Sequence, residues 1–228
     1  MEVYAPSEVY GNLLKVAKYR NIDVTSAVLS HDDLIKRLNS HEFVTIAGTR
    51  ANIDTRGPSN LIMVLIAPDS KYSAKSADFK TMLKNIPSIK DLVNVESFDD
   101  EHVKIVTKAK SEIAADIMIV SEYPLTAHIK RHLDTFKKVN PHINIECYDY
   151  EIFLMEIPTH ESVPEHSLMS LSDIDKLVKK YKIAPMYFPK ILVTDPVAVW
   201  YGIRAGNVVR VKRRSETAGY AYVYRICI

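Results

Sequence analysis

The chain has 228 residues, enough for one large domain or two small ones, and its 47% hydrophobic and 25% charged residues are the balance of a globular protein with a real core. A net charge of +2 excludes a nucleic-acid or membrane partner recruited by bulk charge, so electrostatic arguments rest on local clusters. The two cysteines, Cys147 and Cys227, lie outside any CxxC pair, which excludes a disulfide framework and a thiolate zinc site; two buried free thiols in a reducing compartment are favoured over one disulfide.

The start, Met1-Glu2-Val3-Tyr4-Ala5-Pro6, lacks the basic and apolar stretches of a signal peptide. No apolar run approaches the roughly 20 residues that span a bilayer. The expectation is a cytosolic or nuclear protein. Residues 7–18 place Tyr10, Leu13, Leu14 and Ala17 at helical spacing. Ser30-x-x-Asp33 resembles a capping box, opening a second helix that presents Leu34, Ile35 and Leu38. The period then changes. Glu42 to Ala47 is short and β-branched, reads as a strand, and is closed by Gly48. Leu61 to Ile66 is a continuous apolar run, as in a strand covered on both faces. A helix at 76–86, a strand at His102 to Val106 and a firmer strand at Asp116 to Val120 follow. Pro124 precedes a long amphipathic helix carrying Ile129, Leu133 and Phe136, ended by Asn140-Pro141. Ile143 to Tyr148 is the last strand of this half. Strands alternating with helices predict an α/β (α+β) domain with a mixed sheet.

Glu156 to Pro164 reads as a connector. Beyond it, Ser170 and Ser172 offer N-caps to a helix with the stripe Ile174, Leu177, Val178 and Tyr181, acidic early and basic late. A strand at Ile191 to Val193 leads to Asp195-Pro196, an acidic N-cap followed by proline at the first helical position, and this short helix should stop at Gly202. Val208 to Val211 and Tyr220 to Ile226 are predicted strands around a Ser-Glu-Thr-Ala-Gly turn, in which Ser215 and Thr217 bond backbone groups and Glu216 pairs with the surrounding arginines. The tail is a small α/β module of its own.

Catalytic patterns are few. Pro68-Asp69 and Asp78-Phe79-Lys80 spell a nuclease-like PD…DxK, in which two carboxylates hold Mg²⁺ and the lysine assists a water. Asp78 and Lys80 lie two apart on a predicted helix and so point to different sides, which favours a non-catalytic reading. His128 and His132 share a helix face, but no glutamate follows His128 and no third ligand is suggested; a solvated face with Lys130 and Arg131 is favoured over a metal site. Hydrogen bonding or solvent exposure explains His160 and His166. No GxGxxG, GxxxxGK[ST] or GxSxG sequence occurs.

The last strands carry the densest charge. From Trp200 onward Arg204, Arg210, Lys212, Arg213, Arg214 and Arg225 face one acid, Glu216. Tyr220, Tyr222 and Tyr224 alternate along a strand and share one face. Cations beside stacked aromatics suit single-stranded nucleic acid; a protein-facing sheet whose arginines meet a partner's acids is favoured over it.

The residues Val163-Pro164-Glu165-His166, Tyr181, Pro189-Lys190-Ile191, Asp195-Pro196-Val197-Ala198, Tyr201-Gly202, Gly206-x-Val208-Val209, Arg214-Ser215-Glu216-Thr217-Ala218-Gly219 and Tyr224-Arg225 keep the order and approximate spacing of one family. Over this block the sequence resembles the fifth-largest subunit shared by eukaryotic nuclear RNA polymerases, whose C-terminal domain has a counterpart in archaeal RNA polymerase. The resemblance is thinner over residues 111–150, and over residues 1–110 little matches beyond element order. Val199-Trp200 stands where cellular members carry a basic residue before the aromatic-Gly pair, and Arg213 where they carry an apolar one. Such divergence fits a copy from a large DNA virus.

The resemblance implies a non-catalytic subunit with a nuclease-like, jaw-type domain over 1–147 and an assembly domain over 148–228. The assembly domain docks on the polymerase's largest subunit, within the rest of the core, and the jaw-type domain lies near downstream DNA. Pro164, Glu165, His166, Asp195, Pro196, Tyr201, Gly202, Gly206, Arg214, Ser215, Glu216, Thr217, Ala218, Gly219 and Arg225 form its assembly motif. No catalytic residue, metal, cofactor, membrane or small-molecule ligand is expected. The nucleus is the expected location, or a viral factory or virion for a viral chain. The alternatives are a stand-alone nucleic-acid-binding protein and a metal-dependent nuclease built on Asp69, Asp78 and Lys80.

Overall fold

A computed structural model describes residues 6–40, 43–49, 60–66, 115–122, 125–139 and 143–228. Helices and sheets are mixed throughout, the α/β class that the alternating periods predict. The chain divides into two units, Met1–Leu154 and Met155–Ile228.

In the first unit α1 (Pro6–Tyr19) opens on proline, and α2 (His31–Asn39) is capped by Ser30, whose Oγ accepts from the Asp33 N–H at 3.2 Å. Leu34 and Leu38 are buried, but Ile35 is exposed. Five strands form one sheet in the order β1 (Asp23–Val24), β2 (Phe43–Thr49), β3 (Asn60–Ile66), β4 (Ala115–Ser121), β5 (Ile143–Asp149). The first two pairings are antiparallel and the last two parallel. Gly48 does not close β2. It lies inside the strand opposite Leu61, where a Cβ would meet Ile22 Cγ2 at 2.6 Å and the Asp23 carbonyl oxygen at 2.7 Å. Only glycine lets β1 approach this closely.

All six residues of Leu61 to Ile66 are buried, so β3 is covered on both faces. On one face Ile62, Val64, Ile66, Ile117, Ile119, Ile143 and Ile145 pack with Leu125 and with Ile129 and Leu133 of α3 (Ala127–Val139). Near β5, Arg20 pairs with Glu146 at 3.5 Å, and Asn144 donates to Asp116 and Glu146 at 2.9 and 3.1 Å. A 3₁₀ turn, Tyr150–Phe153, contacts α1; Asn12 Nδ2 donates to the Phe153 carbonyl at 2.8 Å, and the Tyr150 hydroxyl donates to the Ile66 carbonyl. These contacts carry the first unit past β5, to Leu154.

The second unit has a four-stranded sheet in the order β6 (Glu165–Leu168), β8 (Val208–Ser215), β9 (Gly219–Cys227), β7 (Lys190–Ile191), with β7 parallel to β9 and the other pairings antiparallel. The predicted strand at Ile191 to Val193 shrinks to Lys190–Ile191, and Leu192 and Val193 are exposed. Ser170 caps α4 (Leu171–Tyr181) through the Asp173 N–H at 3.1 Å; Ile174 and Leu177 are buried, whereas Tyr181 is exposed. Asp195 caps α5 (Pro196–Tyr201), its Oδ1 accepting from the Val197 N–H at 2.9 Å, and Gly202 ends it at φ +63. Ile191, Ala198, Ile203, Val209, Val211 and Cys227 form a core beneath the sheet, and Trp200 is wholly buried. Among the described residues no helix is long and apolar enough to cross a membrane.

Candidate functional site

β8 and β9 are longer than the predicted strands and pair from Val208↔Ile226 to Ser215↔Gly219, leaving Glu216, Thr217 and Ala218 as the loop. The Ser215 Oγ accepts from the Ala218 N–H at 3.3 Å, and Gly219 sits at φ +70, where an L side chain is strained. β6 begins opposite Lys212, so the hairpin from Arg213 to Ala221 extends beyond it. The segment entering β6 and the overhanging hairpin enclose an open cleft of about 540 Å³, lined by Glu161 to Glu165, Lys212, Arg213, Arg214 and Tyr220.

Of the predicted site residues, Pro164, Glu165 and Arg214 meet in this cleft. Glu165 pairs with Lys212 at 3.5 Å. His166 is half-buried on the other face of β6, its ring 6.5 Å from that of Tyr201. Its Nδ1 lies 2.6 Å from the Pro164 carbonyl, and because a carbonyl only accepts, that nitrogen carries the proton. Burial lowers the His166 pKa; the Pro164 contact and Asp195 oppose this, and Arg225 and Arg213 reinforce it. Burial, then Glu165, raises the Tyr201 hydroxyl.

The other motif residues build the unit. Asp195, Pro196 and Gly202 bound α5; the Gly206 N–H donates to the Cys227 carbonyl at 2.9 Å, and an Arg225 guanidinium nitrogen donates to the Lys190 carbonyl at 3.1 Å, tying β9 to β7. Ser215, Thr217, Ala218 and Gly219 make the hairpin tip. Glu216 is exposed there, and among the described residues no ion pair joins it to an arginine, so the predicted pairing is not formed.

The tyrosines do share a face. Lys212 Nζ lies 4.7 Å from the Tyr220 ring centre and the Arg210 guanidinium carbon 5.4 Å from that of Tyr222, while Tyr224 is half-buried against Phe188 at 6.2 Å. Sequence reasoning missed the strand β6 and the contribution of Glu161 and Ser162 to the cleft. It also missed the exposed Met186, Tyr187, Leu192, Val193 and Ile228, and apolar identity alone gave no signal that they lie outside.

Asp69, Asp78 and Lys80, and the side chains of His128 and His132, lie outside the described residues. Among the described residues no group of three or more His, Cys, Asp and Glu could hold a metal ion. Both cysteines are free; burial pushes the Cys147 thiol up to about 12 and also raises that of Cys227.

Residues 155–227 match the family described as RNA polymerase Rpb5, C-terminal domain, almost the whole of the second unit. The chain is 42% identical over 73 residues to the DNA-directed RNA polymerase subunit Rpo5 of Thermococcus onnurineus, covering 32% of this chain and 89% of that protein. It is 34% identical over 125 residues to the DNA-directed RNA polymerases I, II, and III subunit rpabc1 of Dictyostelium discoideum, covering 55% of this chain and 63% of that protein. Similarity to a DNA-directed RNA polymerase RPB5 homolog of African swine fever virus runs nearly end to end, at 24% identity over 97% of this chain and 96% of the viral protein. The chain belongs to the Rpb5 family of DNA-directed RNA polymerase subunits.

Proposed function

We propose that this Rpb5-type subunit is non-catalytic, and that its second unit docks it on the largest subunit of a multisubunit RNA polymerase while its first unit extends towards downstream DNA. The observation that carries the docking is the coincidence of the family match, residues 155–227, with a separately folded unit, Met155–Ile228. That unit presents the cleft and hairpin tip formed by Pro164, Glu165 and Arg214 to Gly219. The first unit's role is supported by the similarity to the viral relative, which covers 97% of this chain and so runs through the first unit as well as the second. A subunit of this kind works in the nucleus, or in a viral factory or virion if the chain is viral.

Co-expression of the tagged full chain with its cognate largest subunit tests the docking. The two should co-purify, and Glu165→Ala combined with Arg214→Ala should weaken recovery without altering the circular dichroism of the free chain. A chain that stays alone at its own 25.9 kDa mass overturns the proposal. The same material should show no Mg²⁺-dependent nuclease activity; cleavage abolished by Asp69→Ala would instead establish a catalyst.

A further inference from the structure

One face of the β8–β9 hairpin carries Arg210, Lys212 and Arg214 from one strand and Tyr220, Tyr222 and Tyr224 from the other. The cations lean diagonally. Arg210 stands opposite Tyr224 but lies over the ring of Tyr222; Lys212 stands opposite Tyr222 but lies over that of Tyr220. The repeating unit is therefore a positive charge beside an aromatic ring, recurring every two residues, or about 7 Å. Tyr220 and Tyr222 are 56% and 55% exposed, on the part of β9 that β7 does not reach, since β7 pairs only with Ile226 and Cys227. A tyrosine kept only for packing would be covered, as Tyr224 is by Phe188.

We infer that this face binds single-stranded nucleic acid, with bases stacking on Tyr220 and Tyr222 and backbone phosphates meeting Arg210, Lys212 and Arg214. The ligand has the same repeating unit in complementary form, an anionic phosphate joined to a planar base. An acidic polypeptide answers the cations but leaves the two exposed rings without a planar partner. Single strands answer both. Duplexes do not, because their bases are already stacked on each other and only the phosphates are offered. Aromatics and cations on the open face of an antiparallel sheet are a recurrent solution to this recognition problem. Glu165 and Ser167 hold Lys212 and Arg210 at 3.5 and 3.3 Å, fixing where the charges point. Lys212, Arg214 and Tyr220 also line the docking cleft, but Arg210 and Tyr222 lie outside both that cleft and the segments that carry the family resemblance, so the inference goes beyond the docking reading.

Fluorescence anisotropy with the full chain and labelled oligo(dT) or oligo(U), each of about ten nucleotides, tests it. Binding should weaken at least tenfold in the Tyr220→Ala/Tyr222→Ala variant and be retained in Tyr220→Phe/Tyr222→Phe, which keeps the rings. The slope of log affinity against log salt should be about −2 for three phosphate contacts, and Lys212→Gln should make it shallower by about 0.7. A duplex of equal length should compete poorly, and the two oligonucleotides tell whether DNA or RNA is preferred. Tyr222→Ala alone, whose ring lies outside the docking cleft, should weaken oligonucleotide binding and still co-purify with the largest subunit, which separates this surface from the docking reading. The inference is overturned if neither oligonucleotide binds at low salt, or if the alanine variant binds as tightly as the parent. It is equally overturned if polyglutamate competes as well as oligo(dT), or if Tyr222→Ala loses the largest subunit.

Discussion

His166 can accept a proton only at the expense of folding. Its ring is half-buried between β6 and Tyr201, and burial outweighs the Pro164 carbonyl and Asp195, which favour the charged form. The folded-state value therefore lies below the ordinary 6.5. As pH falls through that window the unfolded chain binds the proton first, so stability rises with pH up to about 6.5 and is lost on acidification below it. His166→Asn keeps a donor for the Pro164 carbonyl and cannot titrate. Between about pH 7.5 and pH 5 the parent should lose more stability in denaturant titrations than His166→Asn does; parallel losses would remove His166 as the cause. At this scale the sequence was partly legible. Residue type marked Gly219 for a turn, because a positive φ has a local signature. It misassigned Gly48, whose reason is the approach of another strand, and Glu216, whose charge suggested partners but which is exposed at the hairpin tip.

At the scale of elements, helix starts are set by neighbours in sequence, and Ser30, Ser170 and Asp195 all cap where the residues indicate. Asp195→Ala should cost the second unit about 1 kcal/mol by leaving the Val197 N–H without its acceptor, and Asp195→Asn much less. Denaturation midpoints of the two variants check this, and equal losses would point instead to the carboxylate's charge. Helix ends were less legible: α4 stops at Lys182, which takes a left-handed φ of +55 without glycine. β1, β6 and β7 have two to four residues each, too few for a period, and exist because a longer strand pairs with them. Exposed faces fail for a related reason. Ile35, Tyr181 and Leu192 continue apolar patterns whose neighbours are buried, and periodicity does not reveal where the covering layer ends.

For the molecule as a whole, the two units give the docking proposal a sharper form than co-purification alone. Leu13 is wholly buried in the first unit and Trp200 in the second. Truncating either leaves a cavity costing roughly 3–5 kcal/mol, comparable with the whole stability of a small domain. If assembly depends on the second unit alone, Leu13→Ala should expose the first unit to limited proteolysis and still leave residues 155–228 associated with the largest subunit. Trp200→Ala should abolish association while the first unit remains protected. Leu13 and Trp200 are both inaccessible, so neither substitution removes a contact that a partner could make directly. The asymmetry therefore reports which unit must be folded for docking. Loss of association in both variants would mean that assembly needs the whole chain, and loss in Leu13→Ala alone would move the docking surface to the first unit.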